Sequence, residues 1–228
     1  MTTIERIPVP AEPELPYPVL QARDVTFGYL PGSPVLERWS ASFPAGTMTA
    51  LTGPSGRGKS TLLYLLGLML HPGQGEILLD GAPASTLSDA QRAKLRATRF
   101  GFVFQDAALD ATRTVLDNVT ETALYRGQRR AQVRETALGL LSRFGVDVPA
   151  DRKPGQVSGG QAQRIALCRA LLSAPDVLLA DEPTGNLDPT TTALVVEAMR
   201  EHARAGATVI IVTHSPEVAA ACDQEIVL

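Results

Sequence analysis

Gly53-Pro54-Ser55-Gly56-Arg57-Gly58-Lys59-Ser60-Thr61 is the stretch on which the fold of this 228-residue chain turns. Gly53 and Gly58 bracket four residues ahead of a Lys-Ser pair. A loop of this composition can turn successive backbone N–H groups inward onto phosphate oxygens, and the helix that follows adds the positive end of its dipole. In such a loop Lys59 is placed to reach β- and γ-phosphates, and Ser60 to ligate Mg²⁺. A chain this long meets the pattern by chance roughly once in a hundred. The flanks reduce that further: the apolar MTALT (48–52) reads as a strand and the run from Lys59 to about Leu70 as a helix.

Two further stretches bear on the same chemistry. VLLADEPTGNLD (177–188) is an apolar strand that ends in Asp181. A carboxylate there stands at the C-terminal edge of a parallel sheet, where ligands bind in such folds, and can hold Mg²⁺ through water. Glu182 follows; strand alternation predicts that its side chain points away from that of Asp181 and addresses an attacking water. VSGGQAQR (157–164) precedes the apolar helix IALCRALL. Ser158 and Gln161 have capping-box spacing, and Gly159 and Gly160 leave backbone N–H groups uncovered at a positive helix end. The chain thus holds two phosphate-binding devices.

Outward from these, strands alternate with helices. Val19–Tyr29 and Ser40–Leu51 read as strands joined by a PGSP turn (31–34), and GEILLDG (75–81) as a strand closed by a turn. Ser88 and Gln91 open a helix, and FGFVF (100–104) is a buried strand. Residues of about 105–172 change to helical character; Val133, Ala137, Leu140, Leu141 and Phe144 form one stripe, with Gly145 at the C′ position. Asp188 as N-cap, Pro189 and Gly206 delimit a helix between the VLLA and TVIIVT strands, and EIVL (225–228) reads as a last strand. The pattern predicts a mainly parallel sheet covered on both faces.

Composition sets outer bounds. Hydrophobic residues make up 44% and charged residues 20%, and the net charge is −3, so no global basic field draws the chain to nucleic acid. The first eighteen residues carry acids and prolines without an apolar signal core, and are expected to be a mobile tail. Leu62–Leu70 is about half the length of a membrane span. Cys168 and Cys222 have neither CxxC spacing nor nearby histidines, which argues against metal ligation; a disulfide stays open, with buried free thiols the expectation.

SGGQ lying between the phosphate loop and the Asp181 strand resembles the signature of ATP-binding cassette (ABC) ATPases. Tyr29, Gln105, NLD (186–188) and His214 stand in the family's order, over residues 19–228. The resemblance implies an α/β P-loop NTPase with a RecA-like, mainly parallel core, an N-terminal antiparallel β subdomain and an inserted α-helical subdomain at about 105–172. It implies head-to-tail pairing of two nucleotide-binding subunits, with ATP on Gly53–Thr61 of one and under Ser158, Gly159, Gly160 and Gln161 of the other. By the same resemblance Tyr29 stacks on adenine, and Ser60, Gln105 and Asp181 hold Mg²⁺. Glu182, His214, Lys59 and Gln105 act in hydrolysis, and Asp188 helps pair the sites. A separate membrane permease is the implied partner, placing the chain in the cytoplasm on the inner face of the plasma membrane.

ADEPTGNLD, GFVFQ and VLDNV resemble the branch that serves lipoprotein release, macrolide efflux and a cell-division complex. An export-type transporter subunit is the leading expectation. A non-transport regulator of a division or envelope complex is the alternative, and a soluble DNA- or ribosome-associated cassette is disfavoured by the absence of a heptad run between Lys59 and Asp181. Val157, Ala162 and the polar QDAALDATRTV (105–115) depart from the branch's usual form, and Asp110 and Arg113 leave the partner's identity open.

Overall fold

The computed structural model describes residues 18–228, so the segment expected to be a mobile tail lies, but for Pro18, outside the described residues. In chain order the strands are β1 (Pro18–Phe27), β2 (Leu36–Pro44), β3 (Met48–Thr52), β4 (Gln74–Leu79), β5 (Ala82–Pro83), β6 (Phe100–Val103), β7 (Val177–Asp181), β8 (Thr208–Val212) and β9 (Gln224–Val227). The helices are α1 (Lys59–Leu66), α2 (Asp89–Arg99), α3 (Val115–Tyr125), α4 (Arg130–Arg143), α5 (Gly159–Leu171), α6 (Pro189–Arg204) and α7 (Pro216–Ala220).

The strands form two sheets. One is antiparallel, in the order β2-β1-β4-β5; the other is wholly parallel, in the order β6-β7-β8-β3-β9. The parallel strands β7 and β8 are buried along their whole length, which explains their unbroken apolar sequences. Alternate residues serve opposite cores. Leu178, Ala180, Val209 and Ile211 face helices α3 to α7, whereas Val177, Leu179, Ile210 and Val212 face α1 and the antiparallel sheet.

Local signals account for several boundaries. Ser88 caps α2 in a full capping box with Gln91, Asp188 caps α6 ahead of Pro189, and Gly145 follows α4 with φ of +61°. The stretch Ser40–Leu51, expected as one strand, is two. Pro44 lacks a donor, Gly46 turns the chain at φ +75°, and Thr47 Oγ1 donates to Pro44 O at 2.8 Å, so β2 and β3 enter different sheets. Helix α1 is also shorter than expected: it stops at Leu66, with Gly67 at its C-cap. A Cβ at Gly67 would meet Phe102 Cε1 at 2.5 Å, so close packing on β6 requires glycine there.

Asp110 and Arg113 face one another rather than standing free. They pair at 3.0 Å, Arg113 also pairs with Glu121 at 3.0 Å, and the Asp110 carboxyl is held below its ordinary value by hydrogen bonds from Thr112. Both cysteines are free thiols, but only Cys168 is fully buried; burial pushes it up to about 12 and the half-buried Cys222 up to about 11. Phe144, wholly buried where α4 meets the helical core, should be a keystone of this packing. Phe144→Ala is expected to cost about 3–5 kcal/mol, read as a lower denaturation midpoint at unchanged m-value.

Candidate active site

Parallel register places several functional loops at one edge of the sheet. Leu51 pairs with Val212, Val212 with Asp181, and Val103 with Ala180, so β3, β6, β7 and β8 all end together. The chain leaves these ends as the loop 53–58, the Phe104–Gln105 segment, the Glu182 turn and the Thr213–His214 turn. They enclose a cavity of about 410 Å³ lined by Tyr29, Val35, Ser55, Gly56, Gly58, Lys59, Ser60, Thr61, Gln105, Asp181, Glu182, Val212 and His214.

The loop has the backbone its glycines suggest. Gly53, Gly56 and Gly58 have φ of +126°, +79° and +84°. Gly58 also lies so close to Val35 that a Cβ would meet Val35 Cγ1 at 2.5 Å, so a side chain is excluded on both counts. Lys59 is buried at the head of α1, and its Nζ donates to Gly53 O at 2.8 Å and Pro54 O at 2.9 Å. The ammonium therefore sits against the loop's backbone. Arg57 is exposed, and neither it nor Gly53 or Pro54 lines the cavity. Tyr29 lies beyond the end of β1, 62% exposed, with its ring edge-on to Phe27; its hydroxyl is 3.1 Å from Thr61 Oγ1. An aromatic face is thereby presented beside the loop.

Asp181, 2% exposed, ends β7, and one of its carboxylate oxygens, Oδ1, has no hydrogen-bond partner. Burial raises its pKa, opposed by a hydrogen bond from Ser60 and the nearby Lys59 charge. A desolvated carboxylate with a free oxygen, beside the Ser60 hydroxyl at the end of a phosphate-binding loop, is a donor set that fits a hard divalent cation. No cluster of three or more His, Cys, Asp or Glu exists among the described residues, so other ligands would have to come from a bound phosphate and water.

Glu182 differs from the strand-alternation expectation. Its backbone leaves the strand at once, at φ +47°, while its N–H still donates to Val212 O at 2.9 Å. The left-handed turn returns its side chain to the cavity that Asp181 lines. A positive φ at a residue with a Cβ costs energy, on the order of 1–3 kcal/mol, and such strain concentrates at functional positions. Glu182 Oε1 lies 3.6 Å from His214 Nε2 and is otherwise unpartnered; burial raises its carboxyl, opposed by the His214 backbone N–H and charge.

Other sequence-predicted residues lie elsewhere. Ser158 caps α5 in a reciprocal box, accepting from Gln161 N at 3.2 Å while its own N–H donates to Gln161 Oε1 at 2.9 Å. Ser158, Gly159, Gly160 and Gln161 do not line the cavity of their own chain. Asp188 caps α6 by accepting from Thr191 N at 3.0 Å and Thr191 Oγ1 at 2.6 Å, which lowers its pKa, and it too is absent from the lining. Sequence reasoning missed Val35 and Val212 as lining residues. Val212 was recoverable from its place at the end of β8, but Val35 arrives through a long-range contact with Gly58 that no local pattern signals.

Comparisons with known proteins match this geometry. The ABC transporter family matches residues 36–185. A lipoprotein-releasing system ATP-binding protein, LolD, from Paramagnetospirillum magneticum is 44% identical over 191 residues, covering 83% of this chain and 84% of that one. The macrolide export ATP-binding/permease protein MacB of Burkholderia pseudomallei is 43% identical over 206 residues, covering 89% of this chain but 32% of that longer protein. Among solved structures, a dimeric post-hydrolysis state of the ATP-binding cassette MJ0796 bound to ADP and Pi superposes with a TM-score of 0.85 at 33% identity, over 92% of this chain and 94% of that one.

The raised carboxyl of Asp181 has a consequence for stability. Between its unfolded and folded pKa values the folded state binds more protons, so stability falls as pH rises through that window, and the charged form opposes folding at neutral pH. Asp181→Asn, which removes the buried charge at nearly unchanged shape, is expected to raise Tm at pH 7 without nucleotide or metal and to narrow that gap at low pH, read by calorimetry.

Proposed function

Because this chain belongs to the ABC transporter family and is an ATP-hydrolysing subunit of that family, we propose that two copies bind two ATP molecules head to tail and drive a separate membrane permease of export type. The observation that carries this reading is the separation of the two phosphate-binding devices. The helix end at Ser158–Gly160 is built to receive an anion, yet it lies outside its own chain's cavity. A Cβ at Gly159 would meet nothing within 4 Å, and its φ is unexceptional, so neither packing nor backbone strain requires glycine there. A phosphate approaching from a second copy supplies the reason.

Each group then has a chemical task. The 53–61 loop and Lys59 bind the phosphates, and Tyr29 offers a stacking face to the base. Ser60 and Asp181, with Gln105 nearby, would hold Mg²⁺, which neutralises charge on the phosphate oxygens. Glu182 accepts a proton from, or orients, the attacking water, and His214 holds Glu182 from the side. Phosphoryl transfer needs positioning and charge stabilisation more than covalent help, and these residues provide both. Asp188 fixes the start of α6 and helps set the pairing surface.

A groove of about 400 Å³ whose lining includes Phe100, Phe102, Phe104 and Tyr125 supports docking of a permease helix on this side of the chain, with the chain on the inner face of the membrane. Among the described residues no helix is long and apolar enough to cross a membrane. The export direction is favoured by likeness to proteins named for lipoprotein release and macrolide export.

Glu182→Gln is expected to lower kcat by about 10²–10⁴ while ATP affinity stays within a few-fold; turnover at the parental rate would remove Glu182 from the mechanism. Lys59→Ala should instead weaken ATP binding at least about tenfold, on the order of 1.4 kcal/mol, in direct titration. Hydrolysis requires the Glu182 carboxylate, whose pKa burial raises, so activity should begin to fall, as the pH is lowered, above the ordinary glutamate value of 4.5. Residual activity of Glu182→Gln should lack that limb. Affinity purification from native membranes should recover a multi-pass permease; recovery of ribosomal or DNA-bound proteins instead would overturn the transporter reading and leave the ATPase standing.

A further inference from the structure

Residues 104–114, between β6 and α3, carry Gln105, and their backbone conformation is one the chain would not adopt unaided. Ala107 and Ala108 are consecutive non-glycine residues with φ of +61° and +45°. Each such residue costs on the order of 1–3 kcal/mol and persists only where its surroundings hold it. Helix α5 does the holding. Arg169, only 9% exposed, donates from Nη2 to Ala107 O at 2.8 Å and from Nη1 to Ala108 O at 2.7 Å. Gln163, 2% exposed, donates from Nε2 to Phe104 O at 3.1 Å. Three carbonyls flanking Gln105 are thus bound by side chains of one helix.

The far side of the segment is pinned independently. Asn118 at the start of α3 is wholly buried, and its side chain accepts from Asp110 N at 2.7 Å and donates to Asp110 O at 3.0 Å. Helix α5 is also seated at its own N-terminus, where a Cβ on Gly160 would lie 3.2 Å from Asn186 O in the turn after Glu182. One helix therefore touches both the segment bearing Gln105 and the segment that follows Glu182. The Arg169 guanidinium is buried on backbone carbonyls, an arrangement that costs desolvation and gains fixed geometry.

We propose that Arg169 and Gln163 are positioning residues for Gln105: they tie its loop to α5, so that the place of Gln105 in the cavity is set by the helix whose first turn is Ser158–Gly160. This rests on the reading of the cavity as the ATPase site. Because α5 binds carbonyls on both sides of Gln105, the loop keeps one place relative to that helix. The Ala107–Ala108 strain keeps the loop from relaxing elsewhere while Arg169 is in place, and lets it do so once Arg169 is removed.

The test is a double-mutant cycle on steady-state hydrolysis by the full chain with MgATP. Arg169→Met and Gln105→Ala are expected each to lower kcat about tenfold or more, with KM for ATP within about twofold, and the double variant to be no slower than the slower single, as residues acting as one unit behave. Arg169→Lys, which can still donate to one carbonyl, should recover part of the loss. Should Arg169→Met fail to fold, Gln163→Leu and Arg169→Lys carry the same cycle, with folding checked by Tm. Losses that multiply in the double variant, or a folded Arg169→Met with parental kcat, would overturn the proposal. An active parent indifferent to Gln105→Ala would overturn it as well. A folded parent that hydrolyses no ATP would instead sink the reading of the cavity, so the two failures are distinguishable.

Discussion

The structure is organised around a buried carboxyl at the end of a buried strand. Asp181 can stand at the edge of the sheet, 2% exposed and with a free oxygen, only because β7 is fixed by parallel neighbours on both sides and by apolar cores on both faces. Burying that charge opposes folding. The surrounding packing offsets the cost, and the result is a carboxylate poor in solvent and ready for a cation. The left-handed turn at Glu182 is a second local cost at the same place, and it puts two carboxylates into one cavity rather than on opposite faces.

What the sequence made legible was mostly local. Caps at Ser88, Ser158 and Asp188, the glycine after α4 and the loop from Gly53 to Thr61 follow from interactions within a few residues, and such signals survive in any tertiary setting. Apolar periodicity located the strands but not all their ends. It ran through Pro44 and Gly46 as if Ser40–Leu51 were continuous, because the alternating SASF and the apolar MTAL both read as strand although they belong to different sheets. The period-two rule failed at Glu182 for a related reason: it assumes the strand continues, and the chain turns one residue earlier.

What could not be read was long-range. Val35 reaches the cavity through Gly58, and Arg169 reaches Ala107 and Ala108 from a helix some sixty positions further along. Asp110 and Arg113, which looked like unusual partner-facing residues, are occupied with each other, Thr112 and Glu121. Their polarity is explained by the loop's own order. The segment that carries Gln105 is thereby held by hydrogen bonds from α5 on one side and from α3 on the other.

The proposed pairing completes the cavity of one chain with the α5 end of another. Its most direct measurement is the solution mass of Glu182→Gln in MgATP, by light scattering, with and without Gly159→Asp. The added carboxylate has open space and a favourable place at a helix N-terminus, so folding and ATP binding to the loop should be kept, while a phosphate there would be repelled. Such pairing requires twice the 24.2 kDa chain mass for Glu182→Gln and a monomer for the double variant. A monomer for ATP-loaded Glu182→Gln, or equal dimerisation with Gly159→Asp present, would contradict it.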